Sequence, residues 1–359
     1  MADRTGPYKV VQWATGNIGA RSLRGVVEHP DMTLTGLFVY SPEIEGRDAG
    51  ELCGLRPTGV VATGDIEDII GLGADCVIYM PRQFEVDTVC RLLESGVNVV
   101  TTCGEFHHPA SMDPEVRERV ESACRRGSTS IHSTGSSPGF ISEAVPLVLT
   151  SIQRQLERLV IEEFADLSQR HSPELLFDLM GFGTDPAAFD HGRWSHGVKS
   201  FGPSLRLLGD ALSLPLESLE GSGEVAVARR TTEIAAGRLE AGTVAGQRMR
   251  VTGMRGGRPF LSFAATWFCT AELEPDWQLR PTGWRISVVG DAPLDVEMRL
   301  AVPLEDMGDW TPGYTANRAV NAVPYVCRAA PGIRTTVDLP QIIGTLGEGH
   351  PTFDTTGER

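Results

Sequence analysis

The sequence predicts an α/β protein: a doubly wound parallel sheet, then a second, α+β domain built on a mixed or antiparallel sheet. Three observations carry this. Up to about residue 145 short apolar runs alternate with amphipathic stretches, the pattern of parallel strands covered on both faces. From about residue 150 longer alternating strands follow one another almost without helices, as a sheet with one exposed face requires. A glycine-rich turn stands at the first strand-to-helix junction.

In order, "YKVVQWA" (8–14) reads as a strand and "NIGARSLRGVVEH" as a helix. Leu23, Val26 and Val27 lie on one face of that helix, and Pro30 stops it. "MTLTGLFVY" (32–40) is the second strand; "GVVATGD", "DCVIYM" (75–80), "VNVVTT" (97–102) and "STSIHS" (128–133) continue the series. "EVDTVCRLLES" and "PEVRERVESACRR" carry helical spacing between them. Right-handed crossovers wind such a chain into a doubly wound sheet.

In the second half, "LERLVIEEFAD" (156–166), "GEVAVARRTTEI", "GTVAGQRMRVTGMR", "PFLSFAATWFCTAE", "WRISVVG" and "LDVEMRLAV" read as strands. "PSLRLLGDALS" is a helix, and "DHGRWSH" (190–196), with His191 and His196, is a polar loop without an assigned role. A closing helix runs through 311–333, after Pro312 and up to Pro331-Gly332. The expected division is 1–148 for the first domain and 149–310 for the second. A closing segment, 311–346, packs back on the first domain, and 347–359 forms a loose polar tail.

A net charge of −15 opposes phosphate backbones and sets nucleic acid aside as a partner. No apolar run has the length of a membrane span, and "MADRTGPYK" is no secretion signal. Seven cysteines without C-x-x-C spacing suit reduced thiols in the cytoplasm.

The first strand ends in Ala14-Thr15-Gly16-Asn17-Ile18-Gly19. A dinucleotide fingerprint, G-x-G-x-x-G, has its glycines where Ala14, Gly16 and Gly19 stand. Gly16 lets the backbone approach a pyrophosphate, Gly19 lets helix and strand pack closely, and Ala14 adds only one methyl to the tight turn. N–H groups of residues 16–19 and the helix dipole favour the phosphates. These features point to a Rossmann-type domain that binds a nicotinamide dinucleotide. The second strand ends at Tyr40-Ser41 without an acid for the adenosine ribose. Ser41 can hydrogen-bond a 2′-phosphate and Arg47 can neutralise it, so NADP is preferred, with NAD the alternative.

"VVQWATGNIGARSL", "LTGLFVYSPEIEGRDAGELCG", "NVVTTCGEF", "TGSSPGFISEA" and "NRAVNAVPYVCRAAPGI" together resemble the native amine dehydrogenases. These are relatives of 2,4-diaminopentanoate dehydrogenase whose first domain is like that of dihydrodipicolinate reductase. The resemblance covers residues 8 to about 345. It implies NAD(P)H-dependent reductive amination of aldehydes and ketones with ammonia, oxidative deamination of primary amines in reverse, and a homodimer.

Glu105 follows the strand "VNVVTT" at the carboxyl edge, where such sheets bind ligands. The resemblance gives it the catalytic role, and a carboxylate there can move protons and stabilise an iminium. Met80, Pro81, Thr102 and Cys103 close strands at the same edge and are expected along the cofactor. Ser137, Pro138 and Gly139 offer a rigid turn for the nicotinamide carboxamide, and Asn321 is a further candidate on the nicotinamide side. Phe140, Ser168, Met180, Phe182 and Trp267 are expected around the substrate. His107-His108 lack a third ligand, so no metal is assigned.

Three other readings compete. A dihydrodipicolinate reductase would need a nearby lysine and a D-A-P-S-G-T motif, which are missing. A 2,4-diaminopentanoate dehydrogenase would need a second polar contact for its distal amine. A non-catalytic NADP-binding regulator would share the fold alone.

Overall fold

A computed structural model describes residues 6–190 and 192–346. The expected tail, 347–359, and His191 lie outside the described residues. The chain divides into two compact units. One takes Met1–Cys103, Asp113–Ser133 and Ala316–Arg359; the other takes Gly104–Met112 and Thr134–Thr315. The short segment carrying Glu105 thus leaves the first unit and joins the second.

The first unit alternates strand and helix: β1 (Tyr8–Trp13), α1 (Asn17–Glu28), β2 (Met32–Phe38), α2 (Ala49–Leu52), β3 (Ala62–Thr63), α3 (Ile66–Gly71), β4 (Cys76–Tyr79), α4 (Val86–Glu94), β5 (Asn98–Thr101), α5 (Pro114–Gly127) and β6 (Ser130–Ser133). Helix α1 ends before His29, which is extended because Pro30 follows. Helix α5 starts on Asp113, whose carboxylate accepts from the backbone N–H of Glu115 and Val116, with Pro114 in the first turn. Strands β4 and β6 are buried along their whole length, the mark of a parallel sheet covered on both faces.

The second unit holds α6 (Val145–Thr150), β7 (Leu156–Asp166), α7 (Arg193–Ala211), β8 (Ser218–Ala228), β9 (Thr232–Ile234), β10 (Gly237–Leu239), β11 (Val244–Arg255), β12 (Arg258–Phe268), β13 (Leu273–Glu274), β14 (Gly283–Gly290) and β15 (Leu294–Arg299). Helix α8 (Met307–Cys327) begins there and continues in the first unit, where β16 (Gly332–Ile333) follows.

The parallel sheet has the order β16-β6-β5-β4-β1-β2-β3. From β1 the chain winds first towards β3 and then, from β4, towards β6, so strand order reverses between β1 and β4. Ligands of such sheets bind at that reversal, outside the carboxyl ends of the strands. The second sheet, β13-β8-β11-β12-β7-β14-β15, is mixed: β7 and β12 are parallel, its other pairings antiparallel. Helix α7 covers its inner face, with Phe201 stacked on Phe263 at 3.9 Å.

Several elements depart from the sequence expectation; short α2, α3, β10 and β13 are new, and the expected strand 223–234 is split into β8 and β9. Helix α7 begins at Arg193, ten residues before the expected start, and runs through Pro203. Trp194, Phe201 and Leu205 on its buried face outweigh the local cost of the proline. Residues 193–196 of the expected polar loop are therefore helical. The sequence read residues 330–333 only as a helix end, yet Gly332–Ile333 pairs in parallel with Ser130–Ile131. Helix α8 also starts early, at Met307. In the first unit Ala319, Val320, Val323 and Val326 of α8 join one apolar core with Val10, Leu23 and Ile78. Among the described residues no helix is long and apolar enough to cross a membrane.

Candidate active site

The turn after β1 meets the requirements of a phosphate cradle one residue at a time. A Cβ on Gly19 would lie 2.3 Å from the Ala14 carbonyl oxygen, so only glycine lets α1 start this close to β1. A Cβ on Gly16 would meet nothing within 4 Å. Gly16 and Asn17 are exposed, no acid stands in the first turn, and the first N–H groups of α1 have no acceptor within the helix. Arg21 donates to both the carbonyl and the side-chain oxygen of Asn17, which places a guanidinium at the same helix end. An anionic group fits this site on geometry and on charge.

Ala14 corrects the sequence reading. Its cost is conformational rather than one methyl of bulk, because its φ is +70°. The left-handed region costs an L-residue roughly 1–2 kcal/mol, and glycine returns roughly 0.4–1 kcal/mol of that through the unfolded chain. Ala14→Gly is expected to raise stability by up to about 1 kcal/mol in urea unfolding. A clear loss of stability would show that the methyl contributes packing the turn needs.

Around this turn, Met80 donates its backbone N–H to the Trp13 carbonyl at 3.1 Å, so the ends of β1 and β4 lie side by side. Thr102 and Cys103 continue from β5, with Cys103 fixed by Thr101 Oγ1 and by the Ser133 hydroxyl. Ala14–Gly19, Met80, Pro81, Thr102 and Cys103 therefore gather on one carboxyl edge. Beyond β2, Ser41 is half-buried and Arg47 exposed. Two of the acids nearby are engaged. Asp48 accepts N–H bonds from Gly50, Thr58 and Gly59, which, Thr58 first, hold its carboxyl below the usual range. Glu45 reaches the Gly64 N–H.

The end of α8 meets the amino edge of the sheet: Cys327 reaches the Asp75 carbonyl before β4, and Arg328 the Tyr8 hydroxyl. Asn321, less than two turns above, faces Gly344, where an added Cβ would lie 2.9 Å from its Nδ2.

In the second unit Glu105 sits in a tight turn, Gly104–Phe106. It is exposed, while Phe106, His107 and His108 are buried. His107 Nδ1 lies 2.6 Å from Glu143 Oε1 in a close polar contact that is not an aligned hydrogen bond. The same oxygen accepts from the Ser204 hydroxyl at 2.6 Å; Ser204 accepts from Ser142, which accepts from the Gly139 N–H. His108 spends both ring nitrogens, on Ser111 Oγ at 2.6 Å and Asp210 Oδ2 at 3.0 Å. The two histidines thus anchor the Glu105 segment to α7 and to the 136–144 turn.

That turn holds Ser137, Pro138, Gly139 and Phe140. The Ser137–Pro138 peptide is cis, and Gly139 has φ +118° with Thr134 close against it. Ser136 Oγ and Thr315 Oγ1 are 2.7 Å apart. Ser137 Oγ is buried without a partner among the described residues, so it is available to a polar ligand.

Of the expected pocket residues, Phe182 is 1 % exposed within the apolar core, where it fills space. Met180 is half-buried, its carbonyl held by Gln247 Nε2 at 2.7 Å. Ser168 ties β7 to the β9–β10 hairpin through the Ala235 N–H. Trp267 reaches a residue the sequence reading missed, Glu163. Its two oxygens accept from Trp267 Nε1 at 3.0 Å and Trp284 Nε1 at 3.1 Å. Trp284 in turn meets Phe140 and Tyr314 edge-on, each at 6.3 Å. Period-two spacing from Leu159 and Ile161 could have flagged this carboxylate on an apolar face.

Comparison with known proteins agrees with this layout. The family model of the 2,4-diaminopentanoate dehydrogenase C-terminal domain matches residues 140–353, more than half of the chain. That of the dihydrodipicolinate reductase N-terminus matches residues 10–125. An amine dehydrogenase of Streptomyces virginiae is 28 % identical over 354 residues, covering 94 % of this chain and 98 % of its own. The 2,4-diaminopentanoate dehydrogenase of Acetoanaerobium sticklandii is 23 % identical over 296 residues, 80 % of each chain. The solved structure of an amine dehydrogenase from Mycobacterium smegmatis shares the fold, with TM-score 0.77 at 20 % identity over 94 % of this chain and 97 % of that one. The chain therefore belongs to the family of the 2,4-diaminopentanoate dehydrogenase C-terminal domain, and it is an oxidoreductase.

Proposed function

We propose that this protein is a nicotinamide-dependent amine dehydrogenase, which aminates aldehydes or ketones with ammonia and deaminates primary amines in reverse. The observation that carries the reading is Glu105: an exposed carboxylate held by a buried Phe-His-His anchor. It follows the end of β5 by four residues, and extended chain spans at most about 14 Å over that length.

The cofactor, when bound, supplies or accepts the hydride. The chain's own residues do the rest. Glu105 takes a proton as the ammonia nitrogen attacks the carbonyl carbon, and returns one as water leaves. Its charge then stabilises the iminium to be reduced. N–H groups at the start of α1 hold the pyrophosphate, and the Ser137 hydroxyl serves the carboxamide. Ser41 can hydrogen-bond a 2′-phosphate and the exposed Arg47 can neutralise it, which favours NADP. A homodimer belongs to the same reading.

NADPH consumption with ammonium and a panel of aldehydes and ketones tests the activity. No turnover despite tight cofactor binding would favour a regulator instead. For the cofactor, Arg47→Ala is expected to raise KM for NADPH by about tenfold and leave that for NADH within twofold, the worth of one charge-assisted contact. Equal changes for both cofactors would remove Arg47 from the 2′-phosphate site.

A further inference from the structure

Consecutive glutamates in β7 have opposite fates. Glu162 faces one side of the sheet, where Arg285 on β14 approaches to 3.5 Å. Glu163 faces the other, along with Leu159 and Ile161, which are fully buried. There it stands beside Trp284 across the β7–β14 pairing and beside Ala265 across β7–β12, two residues before Trp267.

Its donors among the described residues are the two indole N–H groups, both neutral. Among the described residues no arginine, lysine or histidine pairs with it. A carboxylate has about four acceptor sites, so about half remain open, and the residue is half-buried rather than sealed. Tryptophan N–H groups need an acceptor when buried, but a neutral amide or carbonyl would serve them equally. Structure alone does not call for the charge here. Partial burial makes an uncompensated carboxylate costly unless something pairs with it.

The surroundings say what would pair. Trp267 and Trp284 turn their indole N–H edges to the carboxylate, and Phe140 and Tyr314 meet Trp284 edge-on. A half-buried carboxylate with open acceptor sites and only neutral donors suits an ammonium group, which gains charge-assisted hydrogen bonds there. A second carboxylate would be repelled.

We propose that Glu163, fixed by the indoles of Trp267 and Trp284, is a subsite for a second, cationic nitrogen of the substrate. The preferred amines would then carry an ammonium at the far end of the chain and no carboxylate. The proposal rests on the amine dehydrogenase reading for its catalytic consequence, though not for ligand binding itself.

The test compares chain-matched amines of three to six carbons ending in ammonium, methyl or carboxylate. NADP⁺ reduction is followed for each, and binding is followed by calorimetry without turnover. At the best length the diaminoalkane is expected to exceed the alkylamine at least tenfold in kcat/KM and in affinity, with the ω-amino acid last. In Glu163→Gln that diamine-to-monoamine ratio should fall tenfold or more. A ratio unmoved by the substitution, with every substrate lowered alike, would reduce Glu163 to a structural acceptor and overturn the proposal. So would a wild-type protein that binds alkylamine as tightly as diamine. Selective diamine binding with no turnover of any amine would leave the subsite standing and overturn the dehydrogenase reading.

Discussion

Glu105→Gln is expected to lower kcat for the proposed reductive amination by about a thousandfold, within the range of lost general acid–base catalysis. The amide keeps the shape and removes both the proton acceptor and the negative charge beside the iminium. Stability is expected to stay within about 0.5 kcal/mol, because the side chain is exposed and its turn is held by Phe106 and the two histidines. Steady-state rates alongside a urea unfolding curve read the two effects separately. Near-normal turnover in a folded variant would withdraw the catalytic assignment.

Glu143→Ala produces the largest loss of stability, about 3–5 kcal/mol. Glu143 is fully buried, accepts from Ser204 and lies 2.6 Å from His107 Nδ1. Its removal leaves the Ser204 hydroxyl buried without an acceptor, takes away the polar group against the buried His107 ring and opens a cavity. The unfolding midpoint of the second unit should fall by roughly 10 °C. Glu143→Gln keeps an acceptor oxygen and should recover more than half of the loss. Equal damage from both variants would mean that charge, not acceptor count, holds the network. Because this network anchors the segment that carries Glu105, the residual activity of the glutamine variant reports how firmly that segment is held.

Much of this architecture could be read along the chain. Alternating apolar strands and amphipathic helices set out the parallel sheet, and Gly16 and Gly19 marked its first strand-to-helix turn. These are local patterns: a strand buried on both faces is apolar throughout, and a helix that starts hard against a strand needs glycine. Glu105 stood out as a candidate because it follows a strand end at the edge where such sheets bind ligands. Non-local pairings were not legible. Gly332–Ile333 is too short to show a strand pattern and is one only because β6 offers it an edge. Helix α7 runs through Pro203 because its buried face pays for the break.

By itself, the sequence determined the fold class and singled out a glycine turn and a carboxylate as site candidates, since each depends on residues within one turn or strand. Tertiary structure alone decided that Ala14 is left-handed, that Asn321 faces Gly344, and that His107 joins Glu143 and Ser204. It also decided that Glu163 lies between two indoles. Each of these depends on which distant residues end up within a few ångströms, and that is fixed by strand register and helix docking rather than by spacing along the chain.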